Sequence, residues 1–456
     1  MENKSSGDIN RRGFIKALGA GAALAAIGGC GPSGGPSSAR GRFVPAGEMS
    51  YRTDRLGNKI SLLGYGMMRL PRVSRAQKES LADTNDIDQD EVNRQVDYAI
   101  AHGVNFFDTS PVYVKGFSEK STGIALSRHP RDKYFISTKM SNQRQRSRED
   151  SLRMYQKQFE DLQADYIDHY LVHNVGSPEQ WKERYLDNGI LDFLLAEREA
   201  GRIRQLGWSF HGDGEFYKYL MSEKYLWDFV MIQLNYFDWG LAVGRANISA
   251  KDQYDIAVER GIPVMIMEPL LGGRLAAPHY KVRERMVQAD PAATAASWAM
   301  RFAADLPNVF TVLSGMTFME HLEENVCTYS PFVPLDEKEK AMLIDVARIM
   351  LENHNIVCTE CQYCMPCKYG LDIPGILMHF NRSLNEGNFP DDRQSPDYRR
   401  ARRAFLVGMD RNVSPARQAN RCIGCGKCVP ECPQRINIPL EMKRIDSFIE
   451  KLKVEA

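Results

Sequence analysis

Four side chains able to hold or move a proton stand at the ends of three successive apolar runs. Val104-Asn105-Phe106-Phe107 stops at Asp108, and Tyr113 follows just beyond Pro111. Tyr134 to Thr138 ends in Lys139, and Tyr166 to Val172 ends in His173. A short apolar run closed by a polar turn reads as a buried strand leaving its sheet. In a barrel of parallel strands, that exit is where catalytic groups sit. The four residue types suit one chemistry. A free phenol, with a pKa of about 10, exchanges protons poorly near neutrality. A neighbouring ammonium would lower that value, and a carboxylate would hold the ammonium charged and in place. An imidazole could orient a substrate oxygen or relay a proton. Such a set would protonate a carbonyl oxygen while hydride arrives at its carbon. Taken singly, each residue could merely mark a polar strand end; taken together they point to a site.

The cysteines form the second constellation. Of ten, eight crowd into two short runs near the C-terminus. Cys358, Cys361, Cys364 and Cys367 make up CTECQYCMPC, and Cys422, Cys425, Cys428 and Cys432 make up CIGCGKCVPECP. The second run fits the Cys-x-x-Cys-x-x-Cys-x-x-x-Cys-Pro spacing that wraps three thiolates round one face of a cubane cluster. Gly424 and Gly426 would permit the tight turns. The first run has two residues before its last cysteine, and Lys368 stands where a proline is usual. It is expected to hold a second cluster. Zinc and disulfides are the rival readings; eight thiols exceed what a single zinc needs, and adjacent pairs suit a disulfide framework poorly. Cys327 reads as a small buried apolar residue.

The elements that would position these groups follow a regular alternation. Residues 51 to 61 read as a hairpin turning at Gly57-Asn58, able to plug a barrel's far end. Strands are expected near 62–68, 104–108, 133–138, 166–172, 203–208, 228–234, 262–267 and 308–313. Helices are expected near 91–103, 118–128, 149–163, 180–200 and 250–260. Alternation of this kind implies βα units and a parallel sheet. A doubly wound open sheet is the rival, disfavoured because no Gly-x-Gly-x-x-Gly turn follows an early strand. The fold class expected is therefore α/β: a (β/α)8 TIM barrel over 49–330, a linking helix in 331–355, and a small, mainly helical ferredoxin-like domain over 356–456.

With DTSPVY, STK and DYIDHYLVH in place, residues 50 to 330 resemble the aldo/keto reductase family. The resemblance implies Asp108, Tyr113, Lys139 and His173 as a catalytic tetrad, with Tyr113 as general acid. It also implies a nicotinamide cofactor, NADP(H) or NAD(H), extended across the barrel mouth. Ser209 and Gln233 would hold its carboxamide, and Tyr236 would stack on its ring. Glu268, Pro269, Leu270, Gly272 and Gly273 would line the pyrophosphate. Ser314, Gly315 and Met316, with Glu324 and Asn325, would cover the adenosine end. SGMTFMEH lacks the basic residues that grip a 2′-phosphate in many relatives, which leaves the choice of dinucleotide open. His211 and His321 read as surface or core-filling residues. By resemblance to two-cluster ferredoxins, Cys367 and Cys432 would each cross to the other 4Fe-4S cluster.

The N-terminus reads as an address. Arg11-Arg12 with Gly-Phe-Ile-Lys resembles a twin-arginine signal, and Ile27-Gly28-Gly29-Cys30 resembles a lipobox that would make Cys30 a lipid anchor. An uncleaved tail is the alternative. The apolar run is short for a membrane span, so contact with a membrane is expected through the anchor alone. Residues 1–30 form this segment, and 31–48 a Gly/Ser/Pro tether reaching at most roughly 60 Å. A formal charge of +1 gives no reason to expect nucleic acid. The basic run Arg399 to Phe405 reads as a solvated helix face, with a docking surface for an acidic redox partner as the alternative. The reading as a whole is an exported, periplasmic-side oxidoreductase acting on a small carbonyl or alcohol compound, with clusters relaying electrons to or from a partner. Its rival is an electron carrier or binding module whose barrel holds a ligand without turnover.

Overall fold

The structure, a computed structural model, describes residues 43–73, 85–143, 147–222, 224–240, 247–352 and 355–454. The N-terminal address with Cys30 lies outside the described residues.

Eight short strands close into a parallel barrel: β3 (Leu63–Gly66), β4 (Phe106–Asp108), β5 (Phe135–Met140), β6 (Ile167–Val175), β7 (Ile203–Phe210), β8 (Phe229–Gln233), β9 (Val264–Met267) and β10 (Val309–Ser314). Each pairs with its sequence neighbour, and β10 returns to β3. Their residues are buried at nearly every position because inward side chains fill the barrel and outward ones meet helices. Phe106, Leu171, Phe229, Met231, Met265 and Phe310 form the inner filling. The (β/α)8 barrel is thus present as the alternation predicts, and the open doubly wound sheet is not.

The hairpin β1 (Tyr51–Thr53) and β2 (Lys59–Ser61) closes the N-terminal end of the barrel. Ile60 joins the inner filling, and Arg52 donates to the carbonyls of Ala304, Leu306 and Val309. Asp54 reaches furthest in: it accepts from Gln205 at 2.6 Å and lies 3.3 Å from His169 Nε2. Burial alone would raise the Asp54 carboxyl, but His169 and Asn58 outweigh it and bring it down to about 2. With that end sealed, the C-terminal strand ends are left to face a ligand.

The helices are set by local signals. Gln89–Ala101 starts where Asp88 accepts from the Glu91 amide, buries Val92, Val96 and Ala99, and is followed by Gly103 at φ 85°. The single helix expected near 180–200 is instead broken into Pro178–Trp181, a wider turn over Lys182–Leu186, and Ile190–Glu199. Gly189, at φ 62°, makes the break. Sequence periodicity missed Gly214–Leu220, Tyr280–Ala289, Ala295–Ala304 and Met319–Thr328.

Beyond the barrel, Glu337–Glu352 lies along Tyr280–Ala289. The C-terminal region carries three helices, Ile373–Asn385, Tyr398–Asn412 and Ile438–Val454, around a separate apolar core that includes Ile376, Phe380, Phe405 and Ile445. In the basic run, Arg399, Arg400 and Arg403 are exposed while Ala401 and Phe405 are buried, as a solvated helix face requires. Arg402 is the exception, holding the Leu452 carbonyl at 2.6 Å. No helix among the described residues is long and apolar enough to cross a membrane.

Candidate active site

Asp108 ends β4, Lys139 lies one residue from the end of β5, and His173 lies two residues from the end of β6. Parallel strands in register bring these ends to one rim. Lys139 is fully buried, and its ammonium donates to both Asp108 oxygens at 2.6 Å and to the Thr109 carbonyl at 2.7 Å. Ser137 adds a third bond to Asp108 at 2.7 Å. Burial pushes the carboxyl up and the ammonium down, and each is opposed by the other's charge.

Tyr113 opens the turn Tyr113–Gly116, in which Val114 and Lys115 adopt φ of 50° and 58°. A β-branched residue there is strained. Pro111 and this turn carry the phenol ring back over the rim, where the Lys139 ammonium lies 4.9 Å from its centroid. The His173 ring meets it edge-on at 6.2 Å. His173 Nδ1 is 2.5 Å from Ser141 Oγ, so Nε2 is the nitrogen left for a ligand. Arg184 fixes this strand end by donating to the His173 carbonyl at 2.7 Å. Burial, then Lys139 and Arg184, hold the imidazole well below its ordinary pKa, hence neutral.

One expectation is corrected here. The ammonium was expected to lower the phenol's pKa, yet Tyr113 is raised well above its ordinary value. Burial is the main cause, followed by the charges of Tyr363, Asp108, Glu268 and Cys361. Lys139 is paired with Asp108, and its charge does not outweigh that burial.

A cavity of about 510 Å³ runs from this group along the barrel mouth. Asp108, Tyr113, Lys139 and His173 line one end, and Thr294, His321, Glu324 and Asn325 line the other. Ser209, Glu268, Pro269, Leu270, Gly272, Gly273, Ser314 and Gly315 lie between. Gly273 has φ 92° and open space where a Cβ would stand, a place for close backbone approach. These residues fit an extended dinucleotide.

Three residues expected on the cofactor lie elsewhere. Tyr236 is buried behind the rim, its hydroxyl 3.9 Å from Met350 Sδ and its ring beside Phe302. Asn235 turns the chain after β8 by accepting from the Phe237 and Asp238 amides, and that turn aims Tyr236 inward. Met316 is fully buried and offers only its carbonyl, to Tyr65. Gln233 is taken by Asp238 and by Gln434 of the C-terminal region, which donates to it at 2.9 Å.

The C-terminal region lies over the mouth at several further points. Arg69 donates to the Thr359 carbonyl, Arg435 donates to the His211 carbonyl at 3.0 Å, and Thr359 covers Gly272. Thr359, Cys361, Tyr363, Pro433 and Gln434 line the same cavity as Tyr113. The Tyr363 ring stands 6.5 Å from that of His173. Sequence reasoning missed Tyr363 and Gln434, since nothing local marks them. His211 and His321, read as surface or core-filling residues, line the cavity instead. Burial, and then Arg435, bring His211 down to about 4.

The eight cysteines fall into two neighbourhoods. The charge of Cys432 bears on Cys358, Cys361 and Cys364, those of Cys422, Cys425 and Cys367 bear on Cys428, and the two groups adjoin where Cys428 bears on Cys364. Glu360 and Gln362 adopt φ of 56° and 64°, and Gly424 and Gly426 adopt 74° and 72°, curling each run around its thiols. Burial pushes the Cys358 thiol up to about 11 and Cys361 up to about 12. Groups so buried need a metal to be held as thiolates. Among the described residues no three side chains converge as a single ion requires. A cubane, giving one iron to each thiolate, accepts a wider spacing, so the donor set fits clusters better than zinc.

A family model described as the aldo/keto reductase family matches residues 62–347, and one described as a 4Fe-4S dicluster domain matches residues 357–436. The glyoxal reductase of Bacillus subtilis is 33% identical over 122 residues, covering 26% of this chain and 39% of that protein. The L-galactose dehydrogenase of Arabidopsis thaliana is 28% identical over 158 residues, covering 33% and 45%. The chain therefore spans less than half the length of these two relatives. An aldo-keto reductase from Bacillus halodurans, solved in its holo form, superposes with a TM-score of 0.52 at 19% identity, covering 66% of this chain and 96% of that one. At that identity the likeness is one of fold.

Proposed function

The chain belongs to the aldo/keto reductase family, and from that premise we propose an oxidoreductase that exchanges hydride between a nicotinamide dinucleotide and a small carbonyl or alcohol compound, with two 4Fe-4S clusters relaying electrons. The supporting observation is that Tyr113, Lys139, Asp108 and His173 border one cavity with the Gly272-Gly273 turn and with Cys361 and Tyr363. When bound, the nicotinamide supplies hydride to the carbonyl carbon. Tyr113 supplies the proton to the carbonyl oxygen; its raised pKa keeps that proton in place until negative charge builds on the oxygen. His173 Nε2 donates a hydrogen bond to the same oxygen in the tautomer whose Nδ1 accepts from the Ser141 hydroxyl. Lys139, locked by Asp108, stabilises the phenolate left behind. At the far end stands Glu324, and Arg69, the arginine that lines the cavity, is tied to the Thr359 carbonyl. This favours the ribose hydroxyls of NAD(H) over a 2′-phosphate.

One cluster would sit on Cys358, Cys361, Cys364 and Cys432, the other on Cys422, Cys425, Cys428 and Cys367. Bound there, the clusters supply single-electron steps. The N-terminal segment supports twin-arginine export and a lipid anchor at Cys30; a Cys30→Ser variant that stays in the membrane fraction would refute the anchor.

Tyr113→Phe tests the barrel chemistry. Bleaching of reduced nicotinamide in stopped flow should fall at least a hundredfold while dinucleotide affinity stays within about twofold; wild-type turnover would defeat the assignment. The rival reading, a carrier without turnover, draws support from Gln434 holding Gln233 and Thr359 covering Gly272. In the same experiment such a carrier would change only its cluster absorbance.

A further inference from the structure

At its tetrad end the dinucleotide cavity opens into a second cleft of about 2070 Å³, between the barrel mouth and the cysteine region. Met68, Tyr113, His211, Cys361, Tyr363 and Pro433 line both spaces and so mark the passage between them. A dinucleotide extended toward Glu324 fills the inner space, and a substrate then enters from the outer one. Its carbonyl oxygen has to come within hydrogen-bond reach of the Tyr113 hydroxyl and His173 Nε2. The rest of the molecule then lies in the passage, beside Tyr363.

Tyr363 stands between Cys361 and Cys364. Gln362, at φ 64°, turns the chain there, and its carbonyl accepts from the Met365 amide at 2.9 Å. The turn carries the Tyr363 ring over the mouth, 6.5 Å from the His173 ring and at 79° to it. Tyr113 meets the same imidazole at 6.2 Å and 85°. The other groups at the passage present faces rather than charge. Met68 and Pro433 are apolar, and His211, held down at about 4, is neutral near pH 7. Thr317 donates to the Arg69 carbonyl at 3.0 Å. The cations there are committed to neighbours. Arg69 donates to the Thr359 carbonyl and lies 3.7 Å from the Glu360 carboxylate, and Arg435 donates to the His211 carbonyl at 3.0 Å. A flat apolar body gains in such a passage from stacking and from the water it leaves behind, and an open-chain polyol gains little.

Resting on the reductase reading above, we propose that Tyr363 is a specificity-determining residue of the substrate site, the face on which a neutral aromatic carbonyl compound packs. The carbonyl carbon receives hydride from reduced nicotinamide and the oxygen receives the Tyr113 proton. The products are a benzylic alcohol and oxidised dinucleotide. The cysteine region then completes the active site of the barrel in addition to holding clusters.

The test uses the full, anaerobically purified chain with benzaldehyde and glyceraldehyde as carbonyl probes. Benzaldehyde should be the better substrate of the wild-type protein. Tyr363→Ala should lose about tenfold or more in kcat/KM for benzaldehyde, mainly through KM, and stay within about twofold for glyceraldehyde. Tyr363→Phe should keep the wild-type values. Benzamide, whose carbonyl hydride does not reduce, should bind the wild-type protein in calorimetry and lose about tenfold in affinity in Tyr363→Ala. EPR spectra of the clusters should match in all of these proteins. If Tyr363→Ala does not hold its clusters, Tyr363→Leu decides the matter: it keeps apolar volume without the aromatic face and should lose roughly fourfold for benzaldehyde alone. Equal losses for both aldehydes would give Tyr363 a structural role and overturn the proposal. So would unchanged benzaldehyde kinetics and benzamide affinity. A wild-type preference for glyceraldehyde would overturn it and leave the reductase reading standing, whereas no turnover of either aldehyde would overturn both.

Discussion

Lys139 has three protons to donate, and all three are taken, two by Asp108 and one by the Thr109 carbonyl. It therefore acts on Tyr113 through space, across 4.9 Å to the ring centre, rather than by a hydrogen bond. A phenol governed by burial holds its proton until a substrate oxygen demands it, which suits carbonyl reduction better than proton removal from an alcohol. The same burial makes the ion pair a stability element. Lys139→Met strands the Asp108 carboxylate and should cost about 3–5 kcal/mol in urea unfolding. Adding Asp108→Asn should restore much of that loss without restoring turnover. Full activity in the single variant would show that the ammonium has no part in the reaction.

At the scale of elements, one buried network ties two helices to two strands behind the site. Glu119, in the first turn of Ser118–Leu126, accepts from Thr138 of β5 at 2.5 Å and from Gln158 of Arg148–Leu162 at 2.8 Å. Gln158 in turn donates to the Lys139 carbonyl at 3.0 Å and accepts from Tyr170 of β6 at 2.6 Å. Burial raises the Glu119 carboxyl to about 7. A carboxyl whose folded pKa exceeds its unfolded one binds more protons when folded. Its contribution is then complete at low pH and is lost as pH rises from about 4.5 through 7. Glu119→Gln keeps both accepted bonds and cannot ionise. Its stability relative to wild type should therefore improve by up to roughly 3 kcal/mol between pH 5 and 8. Thermal melts across that range read the difference, and a constant offset would refute the assignment.

Across the whole molecule, the decisive feature is where the cysteine region sits. Its loops close the barrel mouth through Thr359, Tyr363, Gln434 and Arg435, and its apolar core includes Cys358 with Cys364, Cys367, Cys422, Cys428 and Cys432 packed against it. Metal and fold are coupled in such a region. Stripping iron with a chelator should loosen residues 358–367 and 422–435, and with them the contacts to Gln233 and Gly272. Hydrogen exchange should then quicken in peptides covering 231–240 and 268–275, while β5 to β7 stay protected. Unchanged exchange at the mouth would show that docking does not depend on the clusters.

The barrel, and the four polar side chains that meet at its rim, were legible because these strands carry their own signal: a short apolar run for the inside, then a polar residue where the chain leaves the sheet. The Cys-x-x-Cys runs were equally legible, since local spacing lets three thiolates wrap one face of a cluster. What the linear chain did not disclose is how surfaces distant in sequence meet. Tyr363 stands beside His173 across 190 residues of chain, and Tyr236 turns away from the cavity because Asn235 caps a turn that no periodicity announces. Burial, a property of the assembled surfaces, drove the Tyr113 phenol upward against the expectation drawn from its charged neighbour. Local spacing settles which groups reach the rim; only the folded contacts settle what covers them and how dry they become.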